Sequence, residues 1–385
     1  MKLSQTAETS HSPTLRIAVI GATGRIGRRT VELIDRRVEE FAPLRLRPRI
    51  VFASNSRAFV IDAEGNAADD FQNGAGTALS ANWDALLTNT SPHIIIDCTA
   101  SAQIASRYPA WLARGIDVVT PNKHASSSDR TLRNAIERAC ASSGAEVRDA
   151  TTVGAQLPLL ASLRELRRAG DRLVRLEAVL SGTLSYVLGS VQNGASLSQS
   201  IGEAVALGYA EPDPACDLSG TDAARKLVIL LRAAGIEIEL NDVERVPLLD
   251  VGGEPWLDAA AAVDEVWRAR AALAQARRET WVYRASYENG SARIAPERVP
   301  IGHPLARLAP CENALILHSD FYRAAPLTIS GPGAGIELTA AGVFADVLAA
   351  ACRHRHIAAD SNVIRLPQPS RAVAAACAVE ALAAT

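Results

Sequence analysis

The chain has 385 residues, 48% of them hydrophobic, and a formal net charge of −2; this is enough apolar material for about two or three packed domains and leaves no long disordered tract. A near-neutral balance without a dense Lys/Arg block excludes nucleic acid and anionic membranes as expected partners. No apolar run reaches the ~18 residues of a membrane span, the first residues MKLSQTAETSHSP carry no signal-peptide core, and six cysteines lie without CxxC spacing, so a cytoplasmic protein with reduced thiols is expected.

In chain order, Leu15-Arg-Ile-Ala-Val-Ile20 reads as a strand running directly into Gly21-Ala-Thr-Gly24-Arg-Ile-Gly27. An amphipathic helix is then predicted to about Val38, with Ile26, Thr30, Leu33 and Ile34 on one stripe. Further strands are predicted at Arg49–Ser54, His93–Cys98 and Asp117–Thr120, with helices at roughly 101–114 and 129–143. This alternation predicts an α/β, Rossmann-like, doubly wound parallel sheet with its ligand crevice at the carboxyl ends of the strands.

The glycine loop sits where a dinucleotide fingerprint requires it, after a strand and at the opening of a helix. Its spacing is G-x-x-G-x-x-G, with Ala22 where a glycine is usual. A ligand-free glycine turn is the competing reading; the strand–loop–helix context favours a pyrophosphate on the helix N-terminus. After the second strand the chain reads Ser54-Asn55-Ser56-Arg57, with no acid before Asp62. An acid there would bind a ribose 2′-hydroxyl, whereas arginine and small hydroxyls suit a 2′-phosphate, so NADPH is expected over NADH.

Near residue 150 the alternation stops. Val153-Gly-Ala-Gln-Leu-Pro158 leads into a helix to about Arg168, followed by a strand at Leu173–Leu180 and helices near 198–207, 219–234 and 257–275. Strands are predicted at Trp281–Glu288, Ala314–Tyr322 and Leu327–Ser330. The expected division is a dinucleotide-binding domain over 1–152, completed by a helix within 336–385, and an α+β substrate-binding, catalytic and dimerisation domain over 153–335. The loop Gly331-Pro-Gly333-Ala-Gly335 precedes that last helix, read as Thr339–Ala350.

Only three of the 40 basic Lys/Arg residues are lysines: Lys2, Lys123 and Lys226. Lysine is a compact point donor whose proton is readily moved, whereas arginine stays charged. Lys226 closes a stretch carrying Glu211, Asp213, Asp217 and Asp222, and Asp222 lies one helical turn before it, with Ser219 as the expected cap. A surface ion pair is the competing reading; the following Leu227-Val-Ile-Leu-Leu231 instead predicts a mostly buried helix whose lysine needs a carboxylate.

Five segments carry a resemblance: Thr120-Pro-Asn-Lys123, Leu180-Ser-Gly-Thr-Leu-Ser-Tyr186, Gly208-Tyr-Ala-Glu-Pro-Asp-Pro214, Asp217-Leu-Ser-Gly-Thr-Asp222-Ala-Ala-Arg-Lys226-Leu, and the glycine loop at 331–335 with the helix after it. Over about residues 15–350 the chain resembles homoserine dehydrogenase, closest to the form fused behind aspartate kinases, here expected without a kinase domain or a C-terminal regulatory domain. The resemblance implies NAD(P)H-dependent reduction of L-aspartate 4-semialdehyde to L-homoserine; the alternatives are a diverged paralogue acting on a related amino-acid semialdehyde and a catalytically silent NADPH-binding regulator.

Matched motif by motif, Lys226 is implied as the proton donor, Lys123 as the cation that holds the aldehyde oxygen, and Asp222 as the group that orients Lys226. Glu211 and Asp217 would take the substrate ammonium, with Gly182, Thr183 and Tyr209 lining the pocket. Cofactor contacts are expected from Gly21, Thr23, Gly24, Arg25, Ile26 and Gly27, from Asn55, Ser56 and Arg57, and from Cys98, Thr99 and Ala100. Pro121, Asn122, Lys123, Gly335 and Glu337 complete that set. The backbone carbonyls of Val153, Ala155 and Leu157 would hold a sodium-like monovalent cation. Three positions depart from the family's wording: Cys216 stands where an acid is usual, Gln156 replaces a glycine, and Asp149 is displaced by one residue. A homodimer is expected, paired through 314–322 and 327–330.

Overall fold

The computed structural model describes residues 13–355, apart from 73, 80, 211–213 and 252–254. The amino-terminal sheet has seven strands: β1 (Thr14–Ile20), β2 (Arg47–Ser54), β3 (Ala58–Ile61), β4 (Thr77–Ala78), β5 (Ile94–Asp97), β6 (Asp117–Val119) and β7 (Val147–Arg148), in the order β4-β3-β2-β1-β5-β6-β7. β1, β2, β5, β6 and β7 are parallel, as expected. β3 and β4 are antiparallel additions at one edge, so the sheet is mixed rather than wholly parallel. The cause is local. The Asn55 side-chain carbonyl accepts from the backbone N–H groups of Arg57 (2.8 Å) and Ala58 (2.9 Å), and this turn reverses the chain before any crossover helix can form.

Both faces of this sheet are covered. On one, Leu15, Ile17 and Val19 pack with the helix Arg25–Arg36 and the last helix, Ile336–Arg353, through Leu33, Ile34, Val343 and Val347. The carboxyl-terminal helix thus returns to the nucleotide sheet, as its apolar stripe predicts. On the other face Ala18, Ile95 and Phe52 meet Trp83, Tyr108 and Trp111. The single helix expected over 101–114 is two short ones, Ala102–Ala105 and Tyr108–Leu112, because Pro109 lacks an N–H and fits only a first turn.

The second sheet has six strands: β8 (Leu173–Val179), β9 (Val243–Arg245), β10 (Glu279–Glu288), β11 (Ser291–Pro300), β12 (Glu312–Ser319) and β13 (Leu327–Pro332), in the order β13-β12-β8-β10-β11-β9. β11 is absent from the sequence reading. Asn289 (φ 51°) and Gly290 (φ 81°) make the tight left-handed turn of the β10–β11 hairpin, while Pro296 and Pro300 disguise the strand. One face carries Leu176, Ala178, Ala285, Ile294, Leu315 and Leu317 against the helices of this domain.

Two expectations are corrected here. The strand expected over 314–322 is β12, which starts at Glu312 and ends at Ser319, lies between β13 and β8, and buries Ala314 to Leu317 within the chain. The helix expected from Ser219 begins instead at Thr221, after Ala215–Leu218; Gly220 in the left-handed region (φ 73°) is its N-cap and separates the two turns.

Candidate active site

β1 ends directly in the glycine loop. Gly21 is at φ 80°, and the N–H groups of Gly21 and Ala22 both donate to the carbonyl of Ser54 (2.8 and 2.9 Å), tying the loop to β2. A side chain at Gly27 would bring its Cβ to 2.1 Å from the Gly21 carbonyl oxygen, so only glycine lets the helix pack this close. Gly24 is the N-cap of that helix and offers it no side-chain bond, as a helix start that receives an anion requires. A cavity of about 430 Å³ lies beside the loop, lined by Thr23, Arg25, Arg28, Arg29 and Glu337 among others. Glu337 reaches across to Arg29 (2.8 Å), a partner the sequence reading missed, and so fastens Gly335 and the start of the last helix to the loop. At the other end of the crevice Asn55 donates to Thr23 (3.3 Å), and Ser56 and Arg57 stand exposed on the turn after β2.

Cys98, Thr99 and Ala100 follow β5, and Pro121, Asn122 and Lys123 follow β6. A buried carboxylate organises both segments. Asp97 accepts from the hydroxyl of Tyr108 (2.6 Å), the side-chain amide of Asn122 (2.9 Å) and the backbone N–H of Thr99 (2.8 Å). Burial raises its pKa against the pull of these donors. The Cys98 thiol is pushed up to about 12 by burial and by the adjacent Asp97, so it stays protonated. Asn122 also accepts from the His124 N–H (3.0 Å) and caps the short helix Lys123–Ser126, which fixes where Lys123 starts. Asp97 and Tyr108 were not singled out from sequence; an acid closing the apolar run Ile94-Ile-Ile-Asp97 was the available signal.

The two internal lysines meet on one carboxylate. Lys226 Nζ lies 2.8 Å from Asp222 Oδ2 and donates to the carbonyl of Leu180 (2.7 Å). Lys123 Nζ, from the nucleotide domain, lies 3.1 Å from Asp222 Oδ1. Burial alone would raise the Asp222 pKa, but Lys226 and then Lys123 outweigh it and hold the carboxyl below its usual value. Asp217 behaves oppositely: burial, then the charge of Asp222, raises it. The Thr183 hydroxyl lies 2.6 Å from the Tyr209 carbonyl and 3.3 Å from the Asp217 carboxyl. Gly182 opens its helix so close to Cys311 that a Cβ would meet that backbone at 3.2 Å. The Tyr209 ring packs 5.1 Å from that of Tyr186 at the pocket edge. Cys216 lies beside these groups, solvent reaching part of its surface, and partial desolvation of its thiol, then the charges of Asp222 and Asp217, raise its pKa. Glu211 lies outside the described residues. The arrangement offers two ammonium donors at one point and a carboxylate next to them, which suits an oxygen that gains negative charge on a zwitterionic substrate.

Val153, Ala155 and Leu157 lie on a sharply turned loop, with Gly154 at φ 76° and Ala155 at φ 51°. The Leu157 carbonyl already accepts from the Leu159 N–H (2.7 Å), and Asp149 is bonded to Arg164 and to Ser126, each at 2.6 Å. Among the described residues no cluster of three or more His, Cys, Asp or Glu side chains is placed to hold a metal ion, and no helix is long and apolar enough to cross a membrane.

Two family models match the chain: "Homoserine dehydrogenase, NAD binding domain" over residues 23–148 and "Homoserine dehydrogenase" over residues 158–348. A homoserine dehydrogenase of Schizosaccharomyces pombe is 34% identical over 291 residues, covering 72% of this chain and 77% of that protein. A bifunctional aspartokinase/homoserine dehydrogenase of Haemophilus influenzae is 33% identical over 360 residues, covering 90% of this chain; the chain spans only 44% of that relative's length. Among solved structures, a Candida auris protein described as of unknown function superposes with a TM-score of 0.79 at 29% identity, over 88% of this chain and 99% of its own. A hyperthermophilic archaeal homoserine dehydrogenase in complex with NADPH shares the fold, with a TM-score of 0.69 at 23% identity over 89% and 98% of the two chains.

Proposed function

The chain belongs to the homoserine dehydrogenase family, and from that premise we propose that it reduces L-aspartate 4-semialdehyde to L-homoserine, a step toward threonine and methionine. The observation that carries this reading is the convergence of Lys226 and Lys123 on Asp222 across the two domains. A nicotinamide cofactor, when bound, would supply the hydride for the aldehyde carbon. Lys226 gives its proton to the aldehyde oxygen as negative charge develops there, and Lys123 stabilises the same oxygen. Asp222 holds both ammonium groups in register, while the Leu180 carbonyl fixes the direction of Lys226. Asp217 and Glu211 take the substrate ammonium, and Thr183 positions Asp217 through the contact at 3.3 Å.

The cofactor fits the chain's own residues. The left-handed Gly21 in the loop and the helix start at Gly24, which makes no side-chain cap bond, suit a pyrophosphate. The exposed Arg57, with no acid on the turn after β2, supports preference for NADPH over NADH. A monovalent cation would rest on the carbonyls of Val153, Ala155 and Leu157 and brace the loop beneath the site. The protein works in the cytoplasm as a homodimer. The free edge strand β13, which exposes Thr328, Ser330 and Pro332, supports pairing through the second sheet.

The test is NADPH oxidation with aspartate 4-semialdehyde by the wild type and by Lys226→Arg. Arginine keeps the charge but does not release a proton readily. Turnover is expected to fall about 10²-fold or more while cofactor affinity changes little. Near-normal turnover by the arginine variant removes Lys226 from the mechanism.

A further inference from the structure

One buried polar group is left without a partner next to this site. Asn313, on β12, is 1% exposed, and neither its side-chain oxygen nor its nitrogen has a hydrogen-bond partner. A buried amide in that state is costly, so a native chain keeps one where something else completes it. The surrounding residues indicate where that something comes from. On one side Asn313 is paired with Gly331, and on the other its neighbour Ala314 is paired with Val179. Asn313 therefore stands next in register to Leu180, whose carbonyl holds Lys226. Above it passes the loop Gly331-Pro-Gly333-Ala-Gly335. A Cβ on Gly333 would lie 2.0 Å from Asn313 Cγ and 2.2 Å from Nδ2, so the Gly333 backbone packs directly on the amide and any side chain there would collide with it. Gly331 (φ 153°) and Gly335 (φ 128°) flank it in conformations that side chains rarely adopt. The far end of the loop is tied to the pyrophosphate end of the crevice by Glu337 and Arg29.

The loop thus runs from the pyrophosphate cradle to the proton donor, the path that the nicotinamide half of the cofactor must follow. Building on the cofactor reading above, we propose that Asn313 is the residue that recognises the nicotinamide carboxamide. An asparagine amide offers one donor group and one acceptor, and a carboxamide offers the complementary acceptor and donor. A phosphate cannot satisfy the acceptor, and an ammonium cannot satisfy the donor. The pair would form where Gly333 now covers the amide, with Gly333 giving way to the carboxamide.

The test compares equilibrium binding of three nucleotides to the wild type and to Asn313→Leu: NADPH; its 3-acetylpyridine analogue, in which a methyl replaces the carboxamide nitrogen; and adenosine 2′,5′-diphosphate, which has no nicotinamide. Wild-type protein is expected to bind NADPH about tenfold more tightly than the analogue, the scale of one buried hydrogen bond. In Asn313→Leu this ratio should collapse toward one, with affinity for adenosine 2′,5′-diphosphate unchanged. The melting temperature of the cofactor-free variant should not fall, since the amide it loses makes no bond within the fold. A variant that keeps the wild-type ratio overturns the proposal. So does a lower melting temperature in both Asn313→Leu and the smaller Asn313→Val, which would mean that the amide is bonded inside the protein. If the wild type binds none of the three nucleotides, the dinucleotide reading fails first, and this inference fails with it.

Discussion

Replacing Asp222 with asparagine removes the negative charge that joins the two lysines and leaves the carbon skeleton in place. Each ammonium then loses a charge-assisted hydrogen bond, at 2.8 Å for Lys226 and 3.1 Å for Lys123. Such bonds contribute about 1.5–3 kcal/mol each. The Asp222 side chain is 24% exposed, so the lower end applies and the pair amounts to about 3 kcal/mol. The asparagine amide also turns a donor toward one of the ammonium groups, which repels rather than holds it. Because Lys226 keeps its bond to the Leu180 carbonyl, the loss falls on alignment and not on the presence of the proton donor. At about 1.4 kcal/mol per factor of ten, kcat should fall about 10²-fold, with KM for the semialdehyde changed far less. Stability responds in a defined direction. The folded Asp222 pKa is lowered, so this carboxylate contributes stability above its unfolded value near ~3.9, and the contribution is lost as pH falls below it. The melting temperature of the wild type should exceed that of Asp222→Asn at pH 7, and the difference should begin to narrow between pH 4 and pH 3. Steady-state NADPH oxidation and thermal melts across that range measure both effects. A kcat within fivefold of wild type, or a melting difference that persists unchanged at pH 3, would refute the reasoning.

Arg57→Ala should weaken NADPH about tenfold and leave NADH use nearly unchanged, since one exposed guanidinium is the cation offered to a 2′-phosphate; a wild type that already prefers NADH contradicts the assignment. Asp346 carries a carboxyl raised to about 6, by burial first and then by Asp149, so its ionised form disfavours the fold as pH rises from about 4 to 6. Asp346→Asn should therefore melt higher than wild type at pH 8, by on the order of 2 kcal/mol in stability, with the gap closing at pH 4; a gap that widens on acidification reverses the sign of the argument. Light scattering at micromolar concentration should give twice the 40.7 kDa chain mass, and a stable monomer would remove the homodimer.

Local chemistry made a large part of this protein legible in the sequence. The strand–glycine–helix unit at 15–38 is set by backbone sterics within a few residues, because Gly27 admits no side chain against the Gly21 carbonyl. The spacing of Asp222 and Lys226 follows from one helical turn, and the scarcity of lysine pointed to both 123 and 226. The Asn289-Gly290 hairpin was equally local and was there to be read, but the prolines of β11 obscured the strand it introduces. Contacts between residues distant in the chain were decided only by the tertiary structure. Lys123 and Asp222 are 99 positions apart, and no spacing rule brings them within 3.1 Å; the seam between the two domains does so. The pairing of Glu337 with Arg29 and the central place of β12, buried between β13 and β8, are of the same kind. So is the burial of the Asn313 amide without a partner, since in an extended chain every amide has water to bond and only packing removes it. Periodicity and glycine sterics act over a few residues, whereas the candidate site is built from charges that only packing brings within bonding distance.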